Sequence, residues 1–176
     1  MTSRREKRLA DRLEEHRAAV REFIDRAAAI HAARWLSPRA EGKWTPAQET
    51  RHVILSYDAV LDQLSGGPPM RVRTKPLGRW LARIVGLGSI LYRRKIPMAV
   101  NAAREVRPEW EAAPSSELLA QLADRAARFE ALLVERRRAA PGTRLTHYLF
   151  GRLTLDQCIR VMAVHTRHHA AFLPRD

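Results

Sequence analysis

The chain has 176 residues, 45% of them hydrophobic and spaced regularly, so we expect one folded domain over residues 1–176 rather than a disordered chain. A single cysteine excludes a disulfide framework within the chain, and no stretch reaches the roughly 18 apolar residues of a membrane span. The charged first residues lack the apolar stretch of a signal peptide, which favours a cytoplasmic protein, and the net charge of +13 favours contact with anions.

The first predicted element is a long helix over residues 4–35. Its apolar residues fall at spacings of three, four or seven, which places them on one helix face, while charged residues fill the other. These apolar residues are Leu9, Leu13, Val20, Ile24 and Ala27. We see no convincing alternation of apolar and polar residues anywhere in the chain, so no strand is predicted.

The second helix has a clear start signal in the sequence. Thr45 is placed to cap the exposed backbone amides, and Pro46 occupies the first helical position, where a missing amide hydrogen costs little. Gln48 stands where it can complete a capping box. The helix is predicted to reach Leu64, because the run of serine, glycines and prolines at 65–69 ends it.

Residues 68–114 form a crossover that is too long for a simple turn between neighbouring helices. Apolar residues between Pro76 and Lys95 are spaced as an amphipathic helix interrupted near Gly86 and Gly88, and later prolines break the chain into loop. We therefore expect an extra amphipathic helix within the crossover.

The last two helices complete the predicted fold. The third is expected over residues 115–138, and the fourth begins at Thr154, where Thr154 and Gln157 form a second capping box, and continues to about Phe172. Four long amphipathic helices with one long crossover between the second and the third predict an all-α four-helix bundle. Such bundles build metal and cofactor sites in the core from side chains on facing helices.

Histidines occupy predicted core positions on two of these helices. On the last helix, His165 and His169 extend a stripe of core residues and are four residues apart, so their rings share one face. His52 lies on a core stripe of the second helix. Three inward imidazoles can bind one divalent ion and leave a position open, as in catalytic zinc sites. The competing interpretation is that all three are hydrogen-bonded core residues without a metal.

Other residues are weaker candidates for a site. His147 precedes the last helix and either lines the mouth of the site or is solvated. Cys158 lies about two turns, roughly 10 Å, from His165, which favours a buried apolar role. His16 is predicted to lie on the surface. Thr166 stands where the HExxH motif of zinc proteases needs its glutamate, so protease chemistry is disfavoured and no catalytic residue beyond the metal ligands is assigned.

Three segments, in this order and spacing, resemble the DinB/YfiT-like superfamily. They are KWTPAQETRH at 43–52, GRLTLDQ at 151–157 and MAVHTRHH at 162–169, and the resemblance spans roughly residues 10–172. Family members often continue with a glutamine after the last histidine, whereas Ala170 follows His169 here. This departure and the long arginine-rich insert at 71–95 leave the substrate open.

The resemblance implies a DinB-like four-helix bundle with a long crossover, and a zinc or nickel site formed by His52, His165 and His169. It also implies a homodimer. Some relatives are S-transferases or isomerases that use a low-molecular-weight thiol such as mycothiol or bacillithiol. A metal with an open position can hold a thiol as its reactive thiolate or activate a water. Since no general base is evident in the sequence, thiol transfer is favoured over hydrolysis.

A strongly basic segment offers an alternative function. No acidic residue occurs between Asp62 and Glu105, a stretch that contains Arg71, Arg73, Lys75, Arg79, Arg83, Arg93, Arg94, Lys95 and Arg104. It could bind nucleic acid or an anionic membrane, the latter with Trp80 inserted, and the metal site would then be structural or vestigial. Arg93 and Arg94 could instead stand at the pocket mouth and attract an anionic substrate. We favour a third interpretation, in which the apolar face covers the bundle end or a dimer contact and the arginines lie in water, because a GC-rich coding sequence alone enriches arginine.

Overall fold

The structure, a computed structural model, describes residues 4–72, 74–97, 101–109 and 111–174. Its helices are α1 (Arg4–Ala28), α2 (Ala32–Trp35), α3 (Pro46–Leu64), α4 (Pro76–Leu81), α5 (Ser115–Ala139) and α6 (Leu155–Ala170), and its strands are β1 (Arg144–His147) and β2 (Gly151–Thr154). Arg73 of the basic segment lies outside the described residues. Within these ranges, no helix combines the length and the apolar content needed to cross a bilayer.

The four long helices form the predicted four-helix bundle. α1 packs mainly against α6 and α3 mainly against α5, and contacts of α1 with α5 and of α3 with α6 close the arrangement. The core between them is built from large, fully buried side chains, which include Phe23, Ile54, Tyr57, Phe129 and Ile159. Burial of these side chains supplies most of the driving force for folding.

Both predicted capping boxes are confirmed. The Thr45 hydroxyl accepts from the amide of Gln48 at 3.1 Å, and the Gln48 side chain accepts from the amide of Thr45 at 3.0 Å. Thr154 and Gln157 repeat both contacts at 3.1 and 3.0 Å. Each cap satisfies amides that the helix itself leaves unpaired and is worth about 1 kcal/mol. The caps therefore fix the first residue of both helices that carry the candidate histidines.

The prediction of one helix over residues 4–35 is wrong at its C-terminal end. α1 ends at Ala28, and His31, with an extended backbone, caps the short helix α2 by accepting from the amide of Ala33. This turn brings Trp35 into a buried position, where its indole N–H donates to the carbonyl of Ala113 at 2.9 Å. A buried indole needs such an acceptor, which a straight continuation of α1 would not offer.

A short β-hairpin precedes α6, although no strand was predicted. β1 and β2 pair antiparallel, with Leu145 opposite Leu153 and His147 opposite Gly151. Gly151 adopts a positive φ of 68°, which glycine tolerates at the end of the turn. Each strand is only four residues long and offers too few inward positions for an alternating pattern to be visible in the sequence.

The predicted amphipathic helix of the crossover is present, and wide π-type turns extend it. α4 continues through Ala82–Leu87 and Ser89–Arg93 before the chain turns at Arg94. Its inner face packs Leu87 and Ile90 against a second apolar cluster that includes Phe150 and Val161. Farther along, a 3-10 turn at Arg104–Val106 places the crossover against α3.

Candidate metal centre

The structure brings His52, His165 and His169 together between the start of α3 and the end of α6. One ring nitrogen of each residue lies within 4.8 Å of the corresponding nitrogens of the other two. The Nε2 atoms of His52 and His165 are 3.1 Å apart, and the ring of His169 is centred 4.5 Å from each of the other two rings. Three residues from two helices therefore converge on one point.

A backbone carbonyl orients the ring of His52. Its Nδ1 lies 2.6 Å from the carbonyl oxygen of Val106, in the 3-10 turn of the crossover. Because a carbonyl only accepts hydrogen bonds, Nδ1 carries the proton and donates it. The lone pair of His52 is then on Nε2, the atom that faces the other two histidines.

A carboxylate orients the ring of His169 in the same way. Nδ1 of His169 lies 2.6 Å from Oε2 of Glu49, and both side chains are buried. Burial raises the pKa of Glu49 to about 7, and interactions with the basic side chains of His52 and Arg39 partly oppose this shift. Donation from Nδ1 to Glu49 leaves the lone pair of His169 on Nε2. Outer partners of this kind fix the tautomer and the angle of metal-binding histidines.

The ring of His165 has no outer hydrogen-bond acceptor among the described residues, unlike the rings of His52 and His169. Its Nδ1 is buried and has no hydrogen-bond partner among the described residues. Its Nε2 faces the lone pair of His52, a contact that requires a proton or a cation between the two nitrogens. The donor set of three imidazoles, two of them oriented by outer acceptors, fits a divalent ion of the zinc type.

The electrostatic environment keeps the three imidazoles neutral. Burial lowers the pKa of His52, and it lowers the pKa values of His165 and His169 further. Repulsion between the neighbouring imidazoles adds to the effect at His165 and His169. Metals compete with protons for the same lone pairs, so a lowered pKa favours metal binding near neutral pH.

An apolar cavity of about 260 Å³ opens beside the three histidines. Its walls come from α3, α6, the crossover and the hairpin, and the crossover contributes Met70, Ile90 and Ile96. The ring of Trp44 also lines it and lies 4.9 Å from that of His52. A mostly apolar cavity with a few convergent polar groups is typical of a site for a small molecule.

The other candidates from the sequence are placed as follows. His147 lines the cavity, and its Nδ1 accepts from the backbone amides of Leu149 and Phe150 in the hairpin turn. Burial lowers the pKa of His147 to about 4. Neither Arg93 nor Arg94 lines the cavity: Arg93 is exposed, and Nε of Arg94 donates to Glu15 at 2.7 Å.

Cys158 lies in the main core, as expected, and burial raises the pKa of its thiol to about 12.

The sequence analysis missed Glu49, although the sequence contains a signal for it. Glu49 precedes His52 by three residues on the same helix, so both side chains face the same way. His168 lies off the core stripe of the last helix, but it also lines the cavity. The role of Val106 depends on a backbone carbonyl, which no side-chain pattern reveals.

The prediction that His16 lies on the surface is wrong. Its side chain is fully buried between α3 and α5. Nδ1 of His16 is 2.7 Å from Oε1 of Glu130, and Nε2 is 2.7 Å from the hydroxyl of Tyr57, which contacts Thr166 at 3.2 Å. The ring thus belongs to a polar network inside the bundle, away from the cavity lining.

Comparison with known proteins places the chain in a family and supports its fold. A profile of the DinB superfamily matches residues 12–173. The chain belongs to the DinB superfamily. This DinB-superfamily chain is also similar in structure to YfiT from Bacillus subtilis, which is described as a probable metal-dependent hydrolase with an unusual four-helix bundle topology. The two share 15% identity with a TM-score of 0.63, over 98% of this chain and 86% of YfiT, which supports the shared fold. No curated protein matched the sequence.

Proposed function

We propose that the chain is a metal-dependent enzyme in which His52, His165 and His169 hold one divalent ion, zinc or nickel. The observation that carries this proposal is the convergence of three imidazole nitrogens within 4.8 Å, with Val106 and Glu49 accepting from the far nitrogens of His52 and His169. An ion held in this way supplies Lewis-acid activation, which lowers the pKa of a bound thiol or water.

We further propose that the activated nucleophile is a low-molecular-weight thiol. Among the described residues that line the cavity, the acidic one is Glu49. Its carboxylate already accepts a hydrogen bond from Nδ1 of His169. A carboxylate engaged in this way is poorly placed to take a proton from water. A thiol needs less help, because its unperturbed pKa is far below that of water and its thiolate is the reactive form.

The cavity walls favour an apolar electrophile as the second substrate. Ile90, Val161 and Met162 offer no hydrogen bonds, and with the neighbouring aromatic rings they exclude water from the nucleophile. His147 and His168 are among the polar residues that line the cavity. The hydrogen bonds that Nδ1 of His147 accepts place its proton on Nε2, so His147 can donate to an oxygen of the electrophile.

The description of YfiT as a probable metal-dependent hydrolase makes water activation the competing candidate. One assay separates the two. Protein loaded with zinc or nickel is incubated with apolar epoxides and esters, with and without a panel of small thiols, and the products are identified by mass spectrometry. The proposal predicts thiol adducts that require both the metal and the thiol, and that disappear in His52→Ala but persist in the matched surface variant His31→Ala. Ester cleavage without a thiol would identify a hydrolase instead.

A further inference from the structure

The exposed large apolar residues of this protein are concentrated on one element. Within the described chain, the exposed fractions are 71% for Leu77, 58% for Trp80, 49% for Leu81, 55% for Ile84, 54% for Val85 and 82% for Tyr92. These six residues are called the crossover patch below. The other exposed large hydrophobic residue in the described ranges is Leu36, at 39%. Single exposed apolar residues are ordinary, whereas a contiguous group marks an interaction site.

The crossover helix is apolar on two faces. Patch residues 77, 80, 81, 84 and 85 recur at spacings of three and four, which places them on one helix face. The other face, with Leu87 and Ile90, is buried against the hairpin and α6. A helix that is already attached to its own bundle through one apolar face has no need of the second for folding. The crossover patch is therefore available to an external apolar phase.

The charged side chains of the crossover segment itself are all cationic, and one of them, Arg94, pairs with Glu15 of α1. No acidic residue occurs between Asp62 and Glu105. Lys75 at one end of the helix and Arg93 and Lys95 at the other are exposed. Arg83, in the middle, turns back toward the hairpin, where its NH1 donates to the carbonyls of Phe150 at 2.6 Å and Arg152 at 3.0 Å. The apolar centre is thus flanked by cations at both ends.

We propose that the crossover patch docks the protein on an anionic lipid membrane. Leu77, Trp80 and Ile84 enter the interface between headgroups and acyl chains, while Arg93 and Lys95 contact the anionic headgroups. An apolar face with cations at its borders is complementary to such a surface. The aromatic side chains Trp80 and Tyr92 suit the depth of the headgroups, where an amphipathic ring is stable.

Two other occupants fit the patch less well. A twofold contact with a second copy would place the same patch on both sides, so that Arg93 and Lys95 meet like charges with no acidic residue of the segment to offset them. Nucleic acid would be held by its phosphates, and the exposed apolar side chains at the centre would contribute nothing to that contact.

The test is co-sedimentation of the full chain with lipid vesicles at low salt. Vesicles of phosphatidylcholine mixed with phosphatidylglycerol should bind the protein, and vesicles of phosphatidylcholine alone should not. The triple variant Leu77→Gln, Trp80→Gln, Ile84→Gln should bind at least about tenfold more weakly, because it removes most of the inserted apolar surface. The matched control Leu36→Gln should bind like the wild type. Circular dichroism of each variant checks that these exposed substitutions leave the fold intact.

A second pair of variants tests the electrostatic part. Arg93→Gln with Lys95→Gln should weaken binding roughly 10- to 30-fold at low salt. The control pair Lys7→Gln with Lys43→Gln, exposed cations outside the segment, should change it less than about twofold.

Several results would overturn the docking proposal. One is failure of the wild type to sediment with the mixed vesicles, and another is undiminished sedimentation of the triple variant. Self-association of the wild type in the absence of lipid, lost in the triple variant, would identify an interface between copies. Tight binding of a labelled DNA duplex that depends on Arg93 and Lys95 but not on the apolar residues, without vesicle binding, would identify a nucleic-acid site.

Discussion

Oε2 of Glu49 lies 2.6 Å from Nδ1 of His169, and this buried contact joins the first turn of α3 to the last turn of α6. It fixes the ring so that the opposite nitrogen faces His52 and His165. The carboxylate thereby orients a histidine that lies 120 residues away in the chain.

The first prediction concerns this contact. Glu49→Ala removes the acceptor for Nδ1 of His169, and we expect metal affinity to fall about 10- to 100-fold, as for other partners of ligand histidines. Glu49→Gln keeps an acceptor oxygen at the same place and should lose less. Competition with a chromophoric chelator measures both affinities. Equal affinity in the wild type and in Glu49→Ala would mean that the carboxylate has no part in orienting the ligand.

The second prediction concerns pH. Burial lowers the pKa of His147 to about 4, whereas an unfolded histidine has a pKa of about 6.5. Between these values the unfolded chain binds more protons at this residue, so the contribution of His147 to the free energy of unfolding should fall as the pH drops from about 6.5 to 4. In His147→Asn, which keeps an acceptor for the hairpin amides, this contribution is absent, so over the same range the free energy of unfolding should drop by on the order of 2 kcal/mol less than in the wild type. Glu49 has the opposite effect on the free energy of unfolding. Because its pKa is raised in the folded chain, the stability that it contributes in its protonated form is lost as the pH rises from about 4.5 to 7.

Urea unfolding of metal-free protein at several pH values measures this effect. Since Glu49 is present in both proteins, its contribution cancels in the comparison. An identical slope in the wild type and in His147→Asn would show that His147 is protonated normally in the folded chain.

The third prediction concerns the buried network around His16. His16→Ala removes a partner from both Glu130 and Tyr57 and leaves space in the core, so we expect a loss of roughly 2–4 kcal/mol in the free energy of unfolding. Arg21→Ala, which breaks an exposed ion pair with Glu14, should cost about 0.5 kcal/mol or less. Metal content should be unchanged in both variants. A loss at His16 as small as that at Arg21 would contradict a structural role for the network.

The fourth prediction concerns two glycines of the crossover. A Cβ at Gly86 would lie 3.0 Å from Cε1 of Phe150, so Gly86→Ala must displace a ring that lines the cavity. We expect a loss of about 1–3 kcal/mol on thermal or urea unfolding. Gly78→Ala meets nothing within 4 Å and should stabilise the helix by about 0.5–1 kcal/mol. Loss of stability in both variants alike would argue against close packing of the crossover on the hairpin.

Much of the bundle could be predicted from the sequence because the relevant signals are local. Thr45 and Thr154 begin their helices through contacts that span three residues, and a capping box is visible in four letters. The histidines of α6 continue a stripe of core residues, so their inward direction follows from helical periodicity alone. His52 could be grouped with them because its helix start was fixed by the cap.

The features that sequence reasoning missed depend on contacts distant in the chain. His16 lies three residues after Leu13 and four before Val20, so helical periodicity already placed it on the core stripe of α1. Its partners could not be predicted, because Glu130 and Tyr57 meet it from two other helices. The acceptor for His52 is the carbonyl of Val106, a group that every residue carries. The crossover patch required the structure as well, because the sequence alone could not show which of the two apolar faces is buried.

The central claim is tested most directly by the metal content of untagged protein, measured by inductively coupled plasma mass spectrometry. The wild type should carry or take up about one equivalent of zinc or nickel. His52→Ala, His165→Ala and His169→Ala should each lose it, and the surface variant His31→Ala should retain it. A wild type that carries no metal and takes up none at micromolar zinc or nickel would contradict the account and would make the three histidines hydrogen-bonded core residues.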